Sequence, residues 1–247
     1  MPSFLKIPKV QLALALILIY LSSLKQSPLL PTLYLLIVCV GSTIFFDSLF
    51  TFLKVRKLFL PLSGIVSGLI IALIVDPNAL WYQVAFICAL AMASKNFIRV
   101  EDKHIFNPAA SGILLGGFIF NLPISWWGAS FQTIAQQSFW NFLAFFILLL
   151  PGLISILRMR RFGSVLSFIL VYNIFHSFKL VLDPTTIFFS LVMLPEPMTS
   201  PFNLKRQIFY GITVAVAVFA FSLIADYLPD ILIPALLVGN LIFFKFR

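Results

Sequence analysis

Long apolar segments alternate with short polar or proline-containing joints along the chain of 247 residues. Many of these segments approach the roughly 20 residues that an α-helix needs to cross a bilayer. The pattern predicts ten transmembrane helices, at residues 10–24, 30–51, 58–75, 79–94, 106–121, 139–157, 164–181, 185–194, 207–225 and 230–244. The eighth segment is too short to cross a membrane alone, and no segment is polar and long enough to form a soluble domain.

Composition agrees with this pattern. The chain is 61% hydrophobic and 10% charged, whereas a soluble domain carries roughly 25% charged residues. We therefore predict an all-α polytopic membrane protein. The first apolar segment follows Lys6 and Lys9, as in a signal peptide, but no small-residue cleavage site comes after it. We expect it to be retained as a helix.

Lysines and arginines divide unequally between the two sides that ten helices would define. Only Lys25 and Lys179 fall on one side. The other side receives Lys6, Lys9, Lys54, Arg56, Lys57, Lys95, Arg99, Lys103, Arg158, Arg160, Arg161, Lys205, Arg206, Lys245 and Arg247. Because cytoplasmic loops are rich in lysine and arginine, we expect both termini on the cytoplasmic side of the inner cell membrane. The net charge of +9 is explained by the orientation of the protein in the membrane and by contact with anionic lipid. A nucleic-acid partner is not needed to explain it.

Two landmarks recur in the same order in the two halves of the chain. One is a short apolar run that ends in an acid and a proline, at Asp76-Pro77 and Glu196-Pro197. The other is a Pro-Ala pair that is followed by a glycine, at Pro108-Ala109 and Pro234-Ala235. An odd number of helices per copy inverts the second copy in the membrane. The predicted inverted five-helix repeats are residues 1–125 and 126–247.

The second acid-proline step interrupts an apolar segment within the stretch MLPEPMTSP, Met193 to Pro201. Proline lacks an N–H group and moves the preceding residue out of the helical region. Backbone groups freed at membrane depth need protein, water or a ligand as partners, and the hydroxyls of Thr199 and Ser200 are suited to a helix cap or a polar ligand. Alternatively, Glu196 lies in an ordinary hydrated turn on the cytoplasmic side.

Three features resemble the family of the membrane subunits NqrB, of the sodium-pumping NADH:quinone reductase, and RnfD, of the Rnf ferredoxin:NAD complex. One is SKNFIRVEDKHIFNPAASGILLG, Ser94 to Gly116, with its lysine and its Phe-Asn-Pro-Ala helix start. Another is LVMLPEPMTSPFNLKRQIFYGI, Leu191 to Ile212. The third is the layout of ten spans in two inverted halves. The resemblance implies a fold related to urea transporters and ammonium channels, and electron transfer through flavin within a membrane complex.

In one loop the chain departs from that family, whose members carry FMN on a threonine of a Ser-x-Ala-Thr-type stretch. The corresponding loop, Asn121 to Gln137, contains Thr133 without that pattern, and a Trp126-Trp127 pair instead. The resemblance therefore implies a compact form in which flavin, as FMN or riboflavin, binds non-covalently. Its implied partners are a ferredoxin-reductase-like or other flavoprotein donor and a protein with an FMN-binding domain.

A flavin ring needs apolar walls, an aromatic neighbour and a few fixed hydrogen-bond groups. A proline at a helix start leaves neighbouring N–H groups open to a polar ligand. The predicted cofactor-binding residues are Lys95, Asn107, Pro108, Trp126, Trp127, Glu196, Pro197, Thr199 and Ser200. The tryptophan pair also fits an interfacial aromatic belt.

Four other polar residues leave alternatives open. Asp47 lies near the end of the second segment, where an intramembrane acid indicates function by default, or an ion pair with nearby Lys54. Cys39 and Cys88 are interpreted as small buried apolar residues, or as half of a metal or cluster site shared with a partner. His104 is expected to contact a nearby backbone group.

Three functions remain open from the sequence. The first is an electron-transfer subunit that binds flavin, with movement of ions as a possible coupled step. The second is a channel or transporter for a small solute such as urea or ammonia, because inverted repeats of this kind also enclose pores. The third is a membrane anchor subunit without a cofactor of its own. No nucleophile–base pair or phosphate-binding loop indicates a stand-alone enzyme.

Overall fold

The structure is a computed structural model that describes residues 7–56, 61–101, 103–130, 139–176 and 183–246. The described part is mostly helical, as predicted. Its helices are α1 (Pro8–Ser23), α2 (Leu29–Val55), α3 (Leu62–Ile74), α4 (Trp81–Phe97), α5 (Pro108–Phe120), α6 (Trp127–Ser130), α7 (Phe139–Met159), α8 (Phe162–Phe175), α9 (Pro184–Phe188), α10 (Leu204–Ser222) and α11 (Leu232–Phe243). Each of the ten predicted apolar segments overlaps one of these helices, whereas the four-residue helix α6 was not predicted.

Helices α2 and α10 are long and apolar enough to cross a membrane. The buried residues of α2 form one stripe, which includes Leu35, Cys39 and Asp47. Its opposite face is also apolar, since Leu30 and Ile37 are largely exposed there. A helix that is apolar all round belongs in a protein core or in a membrane. Because α2 is not surrounded by protein, its outward face favours a lipid environment.

Two helices end at the predicted acid-proline steps. Helix α3 ends at Ile74, and Asp76 then closes a turn in which its Oδ1 accepts the N–H of Asn78 at 2.7 Å. Helix α9 continues as a single π-helical turn, Phe189–Met193, before the turn at Glu196. The two turns lie at opposite ends of α4, a 17-residue helix with a length of about 25 Å. The two breaks were expected to line one common site, as broken helices of inverted repeats do. That expectation is wrong, because they lie at opposite ends of the bundle.

Helix contacts follow the same pattern in the two halves of the chain. In the first half, α4 packs against α2 and α5, while α3 packs against α1 and α2. In the second half, α10 packs against α8 and α11, while α9 and its π-helical turn pack against α7, and that turn also against α8. Between the halves, α1 packs against α7 and α5 against α11. These two contacts join helices that hold equivalent places in the two predicted copies.

Glycines allow several of these helices to approach closely. A Cβ atom on Gly112 of α5 would lie 2.5 Å from the carbonyl oxygen of Ile87 on α4. A Cβ atom on Gly211 of α10 would overlap the Ser164 carbonyl oxygen of α8 and lie 2.9 Å from the backbone nitrogen of Phe168. Small residues at helix contacts are typical of membrane bundles, where close backbone packing drives helix association.

The substitution Gly211→Ala is expected to destabilise the bundle by about 1–3 kcal/mol, because the added methyl group meets backbone atoms that cannot rotate away. Thermal unfolding of the detergent-purified protein measures the effect. Gly41→Ala is the matched control, since nothing lies within 4 Å of a Cβ atom at that position. Equal melting temperatures for the two variants would contradict close α8–α10 packing.

Candidate functional site

Two loops, one from each half, meet at one end of the helix bundle. Strands β1 (Arg99–Val100) and β2 (Lys103–His104) form a short antiparallel hairpin after α4. The hairpin directs the largely buried side chain of His104 toward the turn that follows α9. There His104 Nε2 lies 3.3 Å from Glu196 Oε1. His104 was expected to contact a backbone group, whereas this ring nitrogen faces a carboxylate of the other half.

The turn at Glu196 satisfies its own polar groups. Thr199 Oγ1 donates to Glu196 Oε2 at 3.1 Å, and Ser200 Oγ donates to the Glu196 carbonyl oxygen at 2.8 Å. The N–H groups of Thr199 and Ser200 donate to the same carbonyl. Both hydroxyl residues are fully buried, while Pro197 is exposed and the Glu196 side chain is 24% exposed. The hydroxyls predicted to face a ligand therefore bond within the turn in this conformation.

Arg161, between α7 and α8, holds the same turn from the other side. Its guanidinium donates to the carbonyl oxygens of Pro197 and Pro201 and lies over the ring of Phe202, 5.2 Å from its centroid. The residue is only 5% exposed, and this burial lowers the pKa of Arg161 below its usual range. In the sequence, Arg161 differs in no way from its neighbour Arg160, and both were interpreted only as positive charges of the cytoplasmic side. The contact of Arg161 with the turn was therefore not predicted.

A buried polar chain of three residues connects the two halves behind the turn. Asn240 of α11 accepts the N–H of Asn107 at 2.8 Å and donates to the hydroxyl of Tyr210 on α10, also at 2.8 Å. Asn107 Oδ1 caps α5 by accepting the N–H of Ala110 at 3.0 Å. The open N–H groups that were predicted around Pro108 are thus occupied at Asn107 and Ala110, and that prediction is wrong for these two groups.

The tryptophan pair lies at the other end of α4, beside the break of α3. Trp127 Nε1 donates to the Ala72 carbonyl oxygen at 2.8 Å, and Trp126 Nε1 donates to Asp230 Oδ2 at 2.7 Å. The Ile74 carbonyl oxygen accepts the N–H of Trp126 at 3.0 Å and also bonds to Ser125. This segment therefore caps the last carbonyls of α3. Trp126 is 5% exposed, so it does not form part of an aromatic belt.

Lys95 lies in a third place, in contact with Asp47. Its Nζ atom is 2.7 Å and 2.6 Å from the two carboxylate oxygens of Asp47 and also donates to Ser63 Oγ. An ion pair with Lys54, which is exposed, was one of two interpretations of this acid. That interpretation is wrong because Lys95, from the neighbouring helix α4, reaches the buried carboxylate.

The nine predicted cofactor-binding residues therefore do not form one pocket. One turn contains four of the nine residues: Glu196, Pro197, Thr199 and Ser200. Asn107 and Pro108 belong to the other half and follow His104, the partner of Glu196, by three and four residues. An enclosed cavity beside Val75 and Ile87 holds only about 10 Å³, whereas flavin-sized ligands need about 300 Å³ or more. An open groove of about 450 Å³ lies on the outward face of α2. None of the nine residues lines either space.

The remaining candidates are placed as follows. Cys39 and Cys88 are fully buried between α2 and α4, which leaves neither thiol on a surface that a partner subunit could share. Among the described residues, no group of three or more histidine, cysteine, aspartate and glutamate side chains comes together to hold a metal ion. Thr133 lies outside the described residues.

Asn240→Leu is expected to lower the free energy of unfolding by about 2 kcal/mol or more, because it leaves the buried Asn107 N–H without its acceptor. Tyr210→Phe removes the hydroxyl that accepts from Asn240 but keeps the Asn107–Asn240 bond between the halves, and it should cost less. Thermal unfolding of both variants in detergent tests the order. Equal losses would show that the bond between the halves contributes nothing beyond the bond to Tyr210.

No protein-family model matches the chain. No curated protein matches it either. The resemblance to the NqrB and RnfD subunits thus rests on the quoted sequence stretches and stays a prediction.

Proposed function

We propose that the chain is a polytopic membrane subunit that relays electrons between flavoprotein partners and binds a flavin, FMN or riboflavin, non-covalently at the Glu196 turn. One observation carries the proposal. The two stretches that resemble the family, Ser94 to Gly116 and Leu191 to Ile212, are far apart in the sequence but meet through His104 and Glu196. They are joined again through Asn240, which bonds to Asn107 of one stretch and Tyr210 of the other.

The same proposal places the chain in the inner cell membrane as two inverted five-helix repeats with both termini in the cytoplasm. The matching helix contacts of the two halves support the repeat. The contacts of α1 with α7 and of α5 with α11 agree with a two-fold axis between the copies. Arg161, Lys205 and Arg206 flank the Glu196 turn in the sequence or in space. Their charges favour the cytoplasmic side for this turn.

When bound, the flavin would supply the one-electron and two-electron chemistry. The protein would supply the position and the electrostatic field. Arg161 fixes the turn through two carbonyl oxygens, so the backbone that faces the ligand is held in place. To bind the pyrimidine edge of the ring, Thr199 and Glu196 would exchange their mutual hydrogen bond for bonds to the ligand. Because Glu196, Pro197 and Met198 are the residues of the turn that are not buried, a ring would enter beside them, at a face open to a ferredoxin-reductase-like donor or an FMN-binding domain.

A membrane anchor subunit without its own cofactor is the second candidate. A specific observation favours it: every polar side chain among the nine predicted residues has a hydrogen-bond partner inside the chain. A site of this kind is complete without a ligand. Its contribution to a complex would then be the cytoplasmic surface beside the His104 hairpin.

Purification in a mild detergent distinguishes the two candidates. The flavin proposal predicts a yellow protein that absorbs near ~450 nm and releases about one flavin per chain on acid precipitation. Glu196→Gln combined with Thr199→Val should lower the flavin content at least about tenfold, because both ligand contacts are lost.

Asp76→Asn is the matched control, since it alters the corresponding acid-proline turn of the other half, and it should leave the flavin content unchanged. A folded, colourless wild-type protein that co-purifies with a reductase would favour the anchor subunit. An unchanged flavin content in the double variant would remove the Glu196 turn as the site.

A further inference from the structure

A buried ion pair lies where α2, α3 and α4 meet, apart from the Glu196 turn. Lys95 Nζ of α4 lies 2.6 Å from Asp47 Oδ2 of α2 and 2.7 Å from Oδ1. The same Nζ atom donates to Ser63 Oγ in the first turn of α3. An ammonium group has three N–H donors, and all three meet oxygen atoms here. Three oxygens from two helices thus surround one positive centre.

The carboxylate is the fixed and enclosed member of this pair. The Asp47 side chain is 3% exposed, while that of Lys95 is 15% exposed. Asn96 Nδ2 donates to Asp47 Oδ1 at 3.2 Å, and Gly64 packs so closely that a Cβ atom there would lie 3.0 Å from Asp47 Oδ2. The cation therefore occupies the accessible side of the site. It can leave by rotation of its flexible side chain, without movement of α2.

A carboxyl group that is buried as deeply as Asp47 must either pair with a cation or carry a proton. Removing one partner of a buried pair leaves an uncompensated charge, which is far more destabilising than removing both. Lys95 is the only cation within 4 Å of Asp47 among the described residues. Oxygen atoms are also the ligands that alkali and other hard cations take. Asn96, which bonds to Asp47 through Nδ2, carries a further oxygen atom, Oδ1, which accepts from Thr51 Oγ1 at 3.4 Å.

We propose that Asp47 and Ser63 form a binding site for a monovalent cation, which the Lys95 ammonium fills in this conformation. Lysine suits this role because its charge is compact and its stem is flexible. Exchange of Lys95 for a free cation would release the bond between α4 and the first turn of α3. Since α3 leads directly into the Asp76 turn, occupancy of the site would be coupled to the position of this broken helix. The proposal does not depend on flavin binding.

Lys95→Met tests the site, because it empties the cation position and keeps the apolar stem. The variant is purified in detergent, and its melting temperature is measured in LiCl, NaCl, KCl and choline chloride at constant ionic strength. One of the alkali ions should raise the melting temperature saturably, by about 5 °C or more at about 100 times its dissociation constant. The wild type should respond only at higher salt concentrations, because a free cation must first displace Lys95 from the site.

Two further variants separate a site from a general salt effect. Lys95→Met combined with Asp47→Asn should lose the response, since the amide carries no charge. Lys54→Met, a change of the same kind on the exposed surface of α2, should behave as the wild type. A Lys95→Met protein that is folded and responds equally to all four salts would overturn the proposal. The proposal would also be overturned if the Lys95→Met protein were unfolded in every salt while the double variant was folded. The Asp47 carboxylate would then bind no free cation in place of lysine.

Discussion

The structure depends on satisfying the backbone carbonyls at two helix breaks inside an apolar bundle. A buried carbonyl without a partner costs several kcal/mol where no water is present. At the first break, the donors for Ala72 and Ile74 come from the segment Ser125–Trp127. At the second, the donor for Pro197 and Pro201 is Arg161. Each break is thus completed by a residue from another part of the chain, and these bonds set where the neighbouring helices lie.

Other bonds, which join the two halves, decide where a ligand could enter between them. Two contacts join the halves at one end of the bundle, and they differ in length and burial. The Asn107–Asn240 bond is buried and 2.8 Å long, whereas the His104–Glu196 contact is 3.3 Å long and involves a carboxylate that is 24% exposed. Opening the His104–Glu196 contact exposes Glu196 to water at a modest cost in free energy. Opening the Asn107–Asn240 bond leaves two buried polar groups without this partner. A ligand that enters between the halves would therefore displace His104 before it disturbs the asparagine chain.

Sequence patterns predicted the helices and the breaks but not the partners of the polar residues. The apolar length of α2 and the proline after Asp76 are local signals, and local signals fix where a helix begins and ends. Lys54 was the partner that the sequence offered for Asp47, because it lies seven residues further along the chain, yet the actual partner Lys95 is 48 residues away. Close packing of small residues, such as Gly64 and Gly68 against α2, decides which helices are neighbours. The pattern of one sequence does not predict these neighbours. Helix α6 was missed because four residues carry no measurable period.

Both helix breaks need hydrogen-bond donors for their backbone carbonyl groups, but in the proposed orientation the two sets of donors differ in charge. The turn at Glu196 lies on the cytoplasmic side and is held by the guanidinium of Arg161, whereas the end of α3 lies on the outer side and is held by the neutral N–H groups of Trp126 and Trp127 and by Ser125. Lysine and arginine are disfavoured in outer loops because they oppose insertion in the correct orientation. An arginine at the outer break would satisfy the carbonyls equally well but would weaken the charge asymmetry. In the proposed orientation, neutral donors on the outer side are therefore what an inverted repeat would require.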